Sequence, residues 1–127
     1  HHSKGRWKNP RDRTSTGYRD RDCRVNPART LARGCFDGPF LADVHGTCEA
    51  YRGSREAAVR HAVPIPGNDP TLLTPAMARA THNLGFACTY GTTGFPPYQA
   101  AKPFSALDHL TGGRVAQRTL PPWKQAS

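Results

Sequence analysis

Acidic residues are scarce in this chain: nine Asp and Glu stand against 18 Lys and Arg in 127 residues, a formal charge of +9. Long apolar runs are also missing. None approaches the roughly 20 residues that a membrane-spanning helix requires, so no transmembrane segment is expected. No Cys-x-x-Cys pair occurs among Cys23, Cys35, Cys48 and Cys88, and the six His do not fall at zinc-finger or metalloprotease intervals. No metal site is therefore indicated. No Gly-x-Gly-x-x-Gly follows an apolar run, which argues against a dinucleotide-binding fingerprint, and no internal repeat supports a solenoid. Nothing resembles a secretory signal, and the sparse cysteines are unlike a disulfide scaffold. A soluble, cytoplasmic protein with reduced thiols is expected.

What is present begins with a basic front. Ten of the 18 cationic residues precede Gly34, against Asp12, Asp20 and Asp22. Such a segment, with Trp7 and Tyr18 to stack on bases, admits nucleic acid as a partner, but no recognition module accompanies it, and a solvated basic arm is the preferred reading. His1 and His2 are assigned no function. Hydrophobic residues make up only 36% of the chain, and Gly and Pro number 12 each, so the core is expected to be small.

The run Phe40-Leu41-Ala42-Asp43-Val44-His45-Gly46-Thr47 takes an apolar strand directly into a carboxylate, an imidazole and a glycine turn. In α/β folds the reacting groups sit where strands end. Around this run, residues 1–18 read as an irregular arm with a turn at Asn9-Pro10. Asp20 or Asp22 caps a helix through Val25, Ala28, Leu31 and Ala32 that stops at Gly34 and contains Pro27. A strand over Phe36 to Ala42 follows, interrupted by Pro39. Cys48 to Val63, ending in Pro64-Ile65-Pro66-Gly67, reads as a long insertion.

A helix capped by Asn68 or Asp69 then carries Leu72, Leu73, Ala76, Met77 and Ala80 on one side as far as about Gly85, with Pro70 at its first position. Phe86 to Tyr90 reads as the next strand. A helix from about Tyr98 to Leu110, with Phe104, Leu107 and Leu110 facing inward, stops at Thr111-Gly112-Gly113. Connections too long for hairpins imply parallel strands joined by right-handed crossovers, in either a barrel or a doubly wound sheet.

Several blocks in order carry a resemblance: Phe40 to Thr47, Tyr51-Arg52-Gly53-Ser54-Arg55, Asn68-Asp69-Pro70, Leu84-Gly85-Phe86-Ala87, Thr92-Thr93, Phe95-Pro96-Pro97-Tyr98, and Leu107 to Arg114. Together they resemble the luciferase-like flavin monooxygenases, specifically the nitrilotriacetate and dibenzothiophene-sulfone monooxygenase group. The resemblance implies an α/β fold, the N-terminal part of a TIM-type barrel. It implies an enzyme that takes reduced FMN from a separate flavin reductase and uses molecular oxygen to oxidise a small organic substrate. Asp43 is then placed near the flavin ring, with Thr92 or Thr93 lining the same face. His45 is a candidate hydrogen-bond or acid–base group, although a solvated turn histidine is an equal reading. Tyr51 and Arg52 are candidates for substrate contact or lid closure, with a structural loop clamp preferred. Asp108, His109 and Arg114 match a block where helix capping and strand entry suffice.

The organisation expected is a basic arm over 1–18, a partial barrel over 19–116 and a divergent tail over 117–127. Members of the family run after Ala116 into a strand that reads Trp-Asn-Val-Val-Thr-Ser; that strand is expected to be absent here. Pro27, Pro39, Pro64 and Pro103 also depart from the family pattern, as do Arg21 and Arg24. Two rival functions follow: a truncated, non-catalytic remnant of the family, and a basic nucleic-acid-binding protein. An open part-barrel also leaves strand edges free for self-association into a homo-oligomer. The substrate, and whether a carbon–nitrogen, carbon–sulfur or alkane carbon–hydrogen bond is oxidised, stay open.

Overall fold

The computed structural model describes residues 9–11, 20–43, 53–60, 69–92 and 95–120. Seven elements appear in the order α1 (Asp22–Arg33), β1 (Phe40–Leu41), α2 (Glu56–Arg60), α3 (Pro70–Arg79), β2 (Phe86–Gly91), α4 (Pro97–Thr111) and β3 (Val115–Leu120). The three strands form one parallel sheet in the order β1-β2-β3. Helix, strand and crossover thus alternate as the hydrophobic pattern predicts. Of the basic arm only a turn is described, in which the Arg11 N–H donates to Asn9 Oδ1 at 3.0 Å.

Helix α1 begins where Asp20 Oδ1 accepts the Asp22 N–H at 3.0 Å, so Asp20 is the capping carboxylate. The helix runs through Pro27 and buries Val25 and Ala28. Arg24, on its half-buried side, holds Nε without a partner among the described residues.

The strand predicted over 36–42 is paired in ladder register only at Phe40 and Leu41, opposite Ala87 and Cys88. Pro39 explains the difference: without an N–H it can only accept, and its carbonyl takes the Ala87 N–H at 3.1 Å. Asp37 does the same for the Gly85 N–H at 2.8 Å. The region read as an insertion contains a short helix, α2. It is started by Ser54 Oγ on the Glu56 N–H at 3.1 Å and braced by an exposed Glu56–Arg60 pair one turn apart.

Helix α3 starts on Asp69, which accepts from both the N–H and the hydroxyl of Thr71, at 2.8 and 2.6 Å. It ends at Arg79, earlier than expected, and its inner face is not the one the leucines predict. Leu72 is 80% exposed, while Thr71, Thr74, Met77, Ala78 and Thr81 are buried. Thr74 and Thr81 can face inward because each hydroxyl donates to the carbonyl four residues back, Pro70 O at 2.8 Å and Met77 O at 3.0 Å. The core is Ala28, Met77, Ala78, Leu84 and Phe86, flanked by Leu31, Ala32, Leu41 and Leu73. Helix α3 therefore sits between α1 and α4 against one face of β2.

Helix α4 buries Leu107 and Thr111, half-buries Phe104, and leaves Leu110 67% exposed, against expectation. It closes as foreseen at Gly112, whose φ of 65° is left-handed, while the Gly113 N–H returns to Asp108 O at 2.9 Å. Residues 117–120, read as divergent tail, instead complete β3 in register with Cys88 to Gly91. The ladder is made by backbone groups, so replacing apolar residues with Gln117 and Arg118 does not abolish it.

Cys23, Cys35 and Cys88 are free thiols. Cys88 is fully buried, and its Sγ lies 3.1 Å from Thr74 Oγ1. Burial pushes its pKa up, the Thr74 hydrogen bond partly opposes this, and the charge of Asp69 adds to the rise. Because the folded value lies above the unfolded one, the contribution to stability is full below the unfolded pKa, ordinarily about 8.5, and is lost as pH rises beyond it toward the folded pKa. Native-state alkylation followed by mass spectrometry is expected to label exposed Cys35 readily and Cys88 only after denaturation, with stability declining above about pH 8.5.

Candidate active site

Parallel strands deliver their C-terminal ends to one edge of the sheet. Two residues beyond β1 stands half-buried Asp43, and directly after β2 stands half-buried Thr92. Leu41 is level with Cys88, so Asp43 is level with Tyr90, and Thr92 lies two residues, roughly 7 Å, further along. The sheet thus brings Asp43 and Thr92 to the same edge. His45, Thr93, Tyr51 and Arg52 lie outside the described residues.

Beyond β2 the chain turns tightly, the Phe95 N–H reaching Thr92 O at 3.3 Å. Tyr90 braces this turn. Its ring meets Phe95 at 5.9 Å and Phe104 of α4 edge-on at 5.2 Å. An aromatic wedge under the strand end holds the turn that carries Thr92, a support not foreseen from the sequence because Phe95 and Phe104 read only as loop and core.

The two faces of the sheet differ. Phe86 and Cys88 point to the helices, where Phe86 joins the core and Cys88 meets Thr74. Alternation sends Ala87, Thr89 and Gly91 to the opposite face. The register adds Phe40, Ala116, Arg118 and Leu120 to it. The guanidinium of Arg118 lies 5.2 Å from the centroid of the Phe40 ring, which is itself 48% exposed. Thr89 is buried, and its hydroxyl has no partner among the described residues. Thr89 and Arg118 were not sequence candidates; strand alternation could have flagged Thr89, but Arg118 lay in a segment read as tail.

At the other end of the sheet Arg114 performs the structural work expected of it. Its Nε donates to Thr111 O at 2.8 Å, and Nη1 to Thr81 O and Leu84 O at 3.1 Å each. Nη2 donates to Ala78 O at 2.8 Å. This clamp ties the end of α3 to the start of β3, at the edge opposite Asp43 and Thr92.

Parallel strands with covering helices, polar residues past the strand ends, and a scaffold clamp at the far edge define a segment of an α/β barrel enzyme. The chain belongs to the luciferase-like monooxygenase family, and its strands and helices form part of that family's TIM-type barrel. It is 47% identical over 116 residues to the long-chain alkane monooxygenase of Geobacillus thermodenitrificans, covering 91% of this chain and 26% of that protein. It is 46% identical to the dimethyl-sulfide monooxygenase of Hyphomicrobium sulfonivorans, covering 91% and 24%. Crystal structures of a long-chain alkane monooxygenase and of a Hyphomicrobium sulfonivorans relative superpose with TM-scores of 0.82 and 0.84, at 46% and 43% identity. These span 90% and 92% of this chain and 26% and 25% of theirs. The chain therefore spans about a quarter of the length of the relatives it matches. No family model matches it.

Proposed function

We propose that this chain supplies part of the flavin seat of a two-component monooxygenase, which uses FMN reduced by a separate flavin reductase and molecular oxygen to oxidise a small organic substrate. The observation that carries the reading is the identity to two monooxygenases over nine-tenths of the chain, with Asp43 and Thr92 meeting at one edge of the shared sheet. The residues fit a planar cofactor. Ala87, Gly91 and Ala116 keep the open face of the sheet low, and the Thr89 hydroxyl beside them is unspent. Bound reduced flavin supplies the electrons that activate oxygen.

In this reading the Asp43 carboxylate accepts a hydrogen bond from a ring N–H, and the hydroxyls of Thr92 and Thr93 orient the ring edge. His45 holds or moves a proton beside it. Tyr51 and Arg52 contact the substrate or close over it, which keeps water from the reacting atoms. The reading takes the protein to work in the cytoplasm. Among the described residues no helix is long and apolar enough to cross a membrane.

Titration with FMN, followed by flavin fluorescence and far-ultraviolet circular dichroism together, tests the proposal. Saturable binding to a cooperatively folding chain is expected. Asp43→Ala should weaken it about tenfold, the scale of one charge-assisted hydrogen bond. Absence of saturable binding by the unsubstituted chain overturns the reading and leaves the remnant alternative.

A further inference from the structure

Buried hydroxyls in this fold find partners, with one exception. Among the described residues Thr71, Thr74, Thr81, Thr89 and Thr111 are buried. Four of them lie on or just after helices, and each hydroxyl donates to Asp69 or to a carbonyl one turn back. Thr89 is 2% exposed and its Oγ1 bonds to nothing, since a strand offers no carbonyl one turn back. An unmet buried hydroxyl carries a desolvation cost, so a partner is expected in the working state.

The neighbour of Thr89 across the ladder is Arg118. It is exposed and pairs with no carboxylate among the described residues. Its one printed contact is the face of Phe40, a weak attraction at an exposed site. A guanidinium is a planar fork of donors suited to planar acceptors. Held against Phe40, this fork lies along the same open face as Ala87, Thr89 and Ala116.

We infer that Arg118 and Thr89 form a binding point for a planar anionic acceptor on the open face of the sheet, namely the N1 and C2 carbonyl edge of reduced flavin. This rests on the flavin reading above. At neutral pH reduced flavin carries negative charge at that edge, whereas oxidised flavin is neutral. A cation placed there favours the reduced form, and a charge near N1 is one of the levers by which a protein tunes a flavin. Both charges gain from leaving water together, so the pair is worth more than an exposed ion pair.

Anaerobic titrations of the full chain with oxidised and reduced FMN, and with oxidised and reduced riboflavin, test the assignment. Arg118→Met is expected to weaken reduced FMN and reduced riboflavin alike about tenfold and the oxidised forms less than about threefold. A tenfold differential corresponds to a fall of about 30 mV in the two-electron potential of the bound flavin. Arg118→Lys should restore part of the preference. Thr89→Val, which removes the unspent hydroxyl at constant shape, should weaken reduced flavin while leaving the urea midpoint equal or higher; a merely structural threonine would lower it.

Equal losses for oxidised and reduced flavin overturn the inference alone, as does unchanged binding. A loss confined to FMN assigns Arg118 to the phosphate and also overturns it. If the unsubstituted chain binds none of the four, this inference and the flavin reading fall together.

Discussion

Arg114→Ala is expected to cost about 3 kcal/mol of stability, the scale on which a partly buried, multiply bonded cation is lost. The side chain is half-buried, and its donors reach carbonyls of Ala78, Thr81, Leu84 and Thr111, on four separate turns of chain. Removing it releases the end of α3 from the start of β3 and strips several carbonyls of a donor at once. Lysine cannot substitute: one ammonium on a flexible stem reaches one or two of these oxygens, so Arg114→Lys should recover less than half of the loss. Urea unfolding followed by circular dichroism measures both. For a small domain whose total stability is about 5–15 kcal/mol, the alanine variant should be partly unfolded at 37 °C.

Gly38→Ala is the second substitution with a large expected effect. A Cβ at position 38 would stand 2.4 Å from the Gly85 carbonyl oxygen and 2.8 Å from its carbon, backbone atoms that cannot swing aside. The close approach exists because β1 is pinned to β2 through its carbonyls, Gly85 N–H to Asp37 O and Ala87 N–H to Pro39 O. Separating the strands to admit a methyl group stretches these bonds, at a cost of about 2 kcal/mol. Hydrogen exchange distinguishes this from general loosening. The amides of Gly85 and Ala87 should lose protection, while that of Phe86, bonded on the other side to Arg114 O at 2.8 Å, should keep it. Because β1 carries Asp43, the same variant should also weaken FMN binding.

The alternation of helix and strand was legible because spacing, caps and glycine stops agree: Asp69 with Pro70 opens α3, and Gly112 with Gly113 closes α4. The inner faces were less legible. Leu72 and Leu110 were counted inward on hydrophobicity, yet threonines that satisfy their own hydroxyls took the buried positions on α3, and Thr111 did so on α4. Helix α2 went unseen because Glu56 to Arg60 is too short for a periodic pattern and rests on a serine cap and one ion pair. Strand β3 was missed for a different reason. Gln117 and Arg118 do not look like an inner barrel strand, but pairing with β2 makes no demand on side chains. Of the candidate site, the strand-end carboxylate at Asp43 and the hydroxyl at Thr92 could be read from the residues that follow each apolar run. The unspent hydroxyl of Thr89 could not, since it depends on what the neighbouring strands leave uncovered.

Each strand of the sheet lies beside the one made just before it, so spatial order and chain order coincide. During synthesis β1 does not have to wait for a distant partner: β2 emerges, docks on it with α3 already formed, and offers a fresh edge for β3. A growing polypeptide of this kind can acquire structure one unit at a time as it leaves the ribosome, with each loop closed over a short stretch of chain.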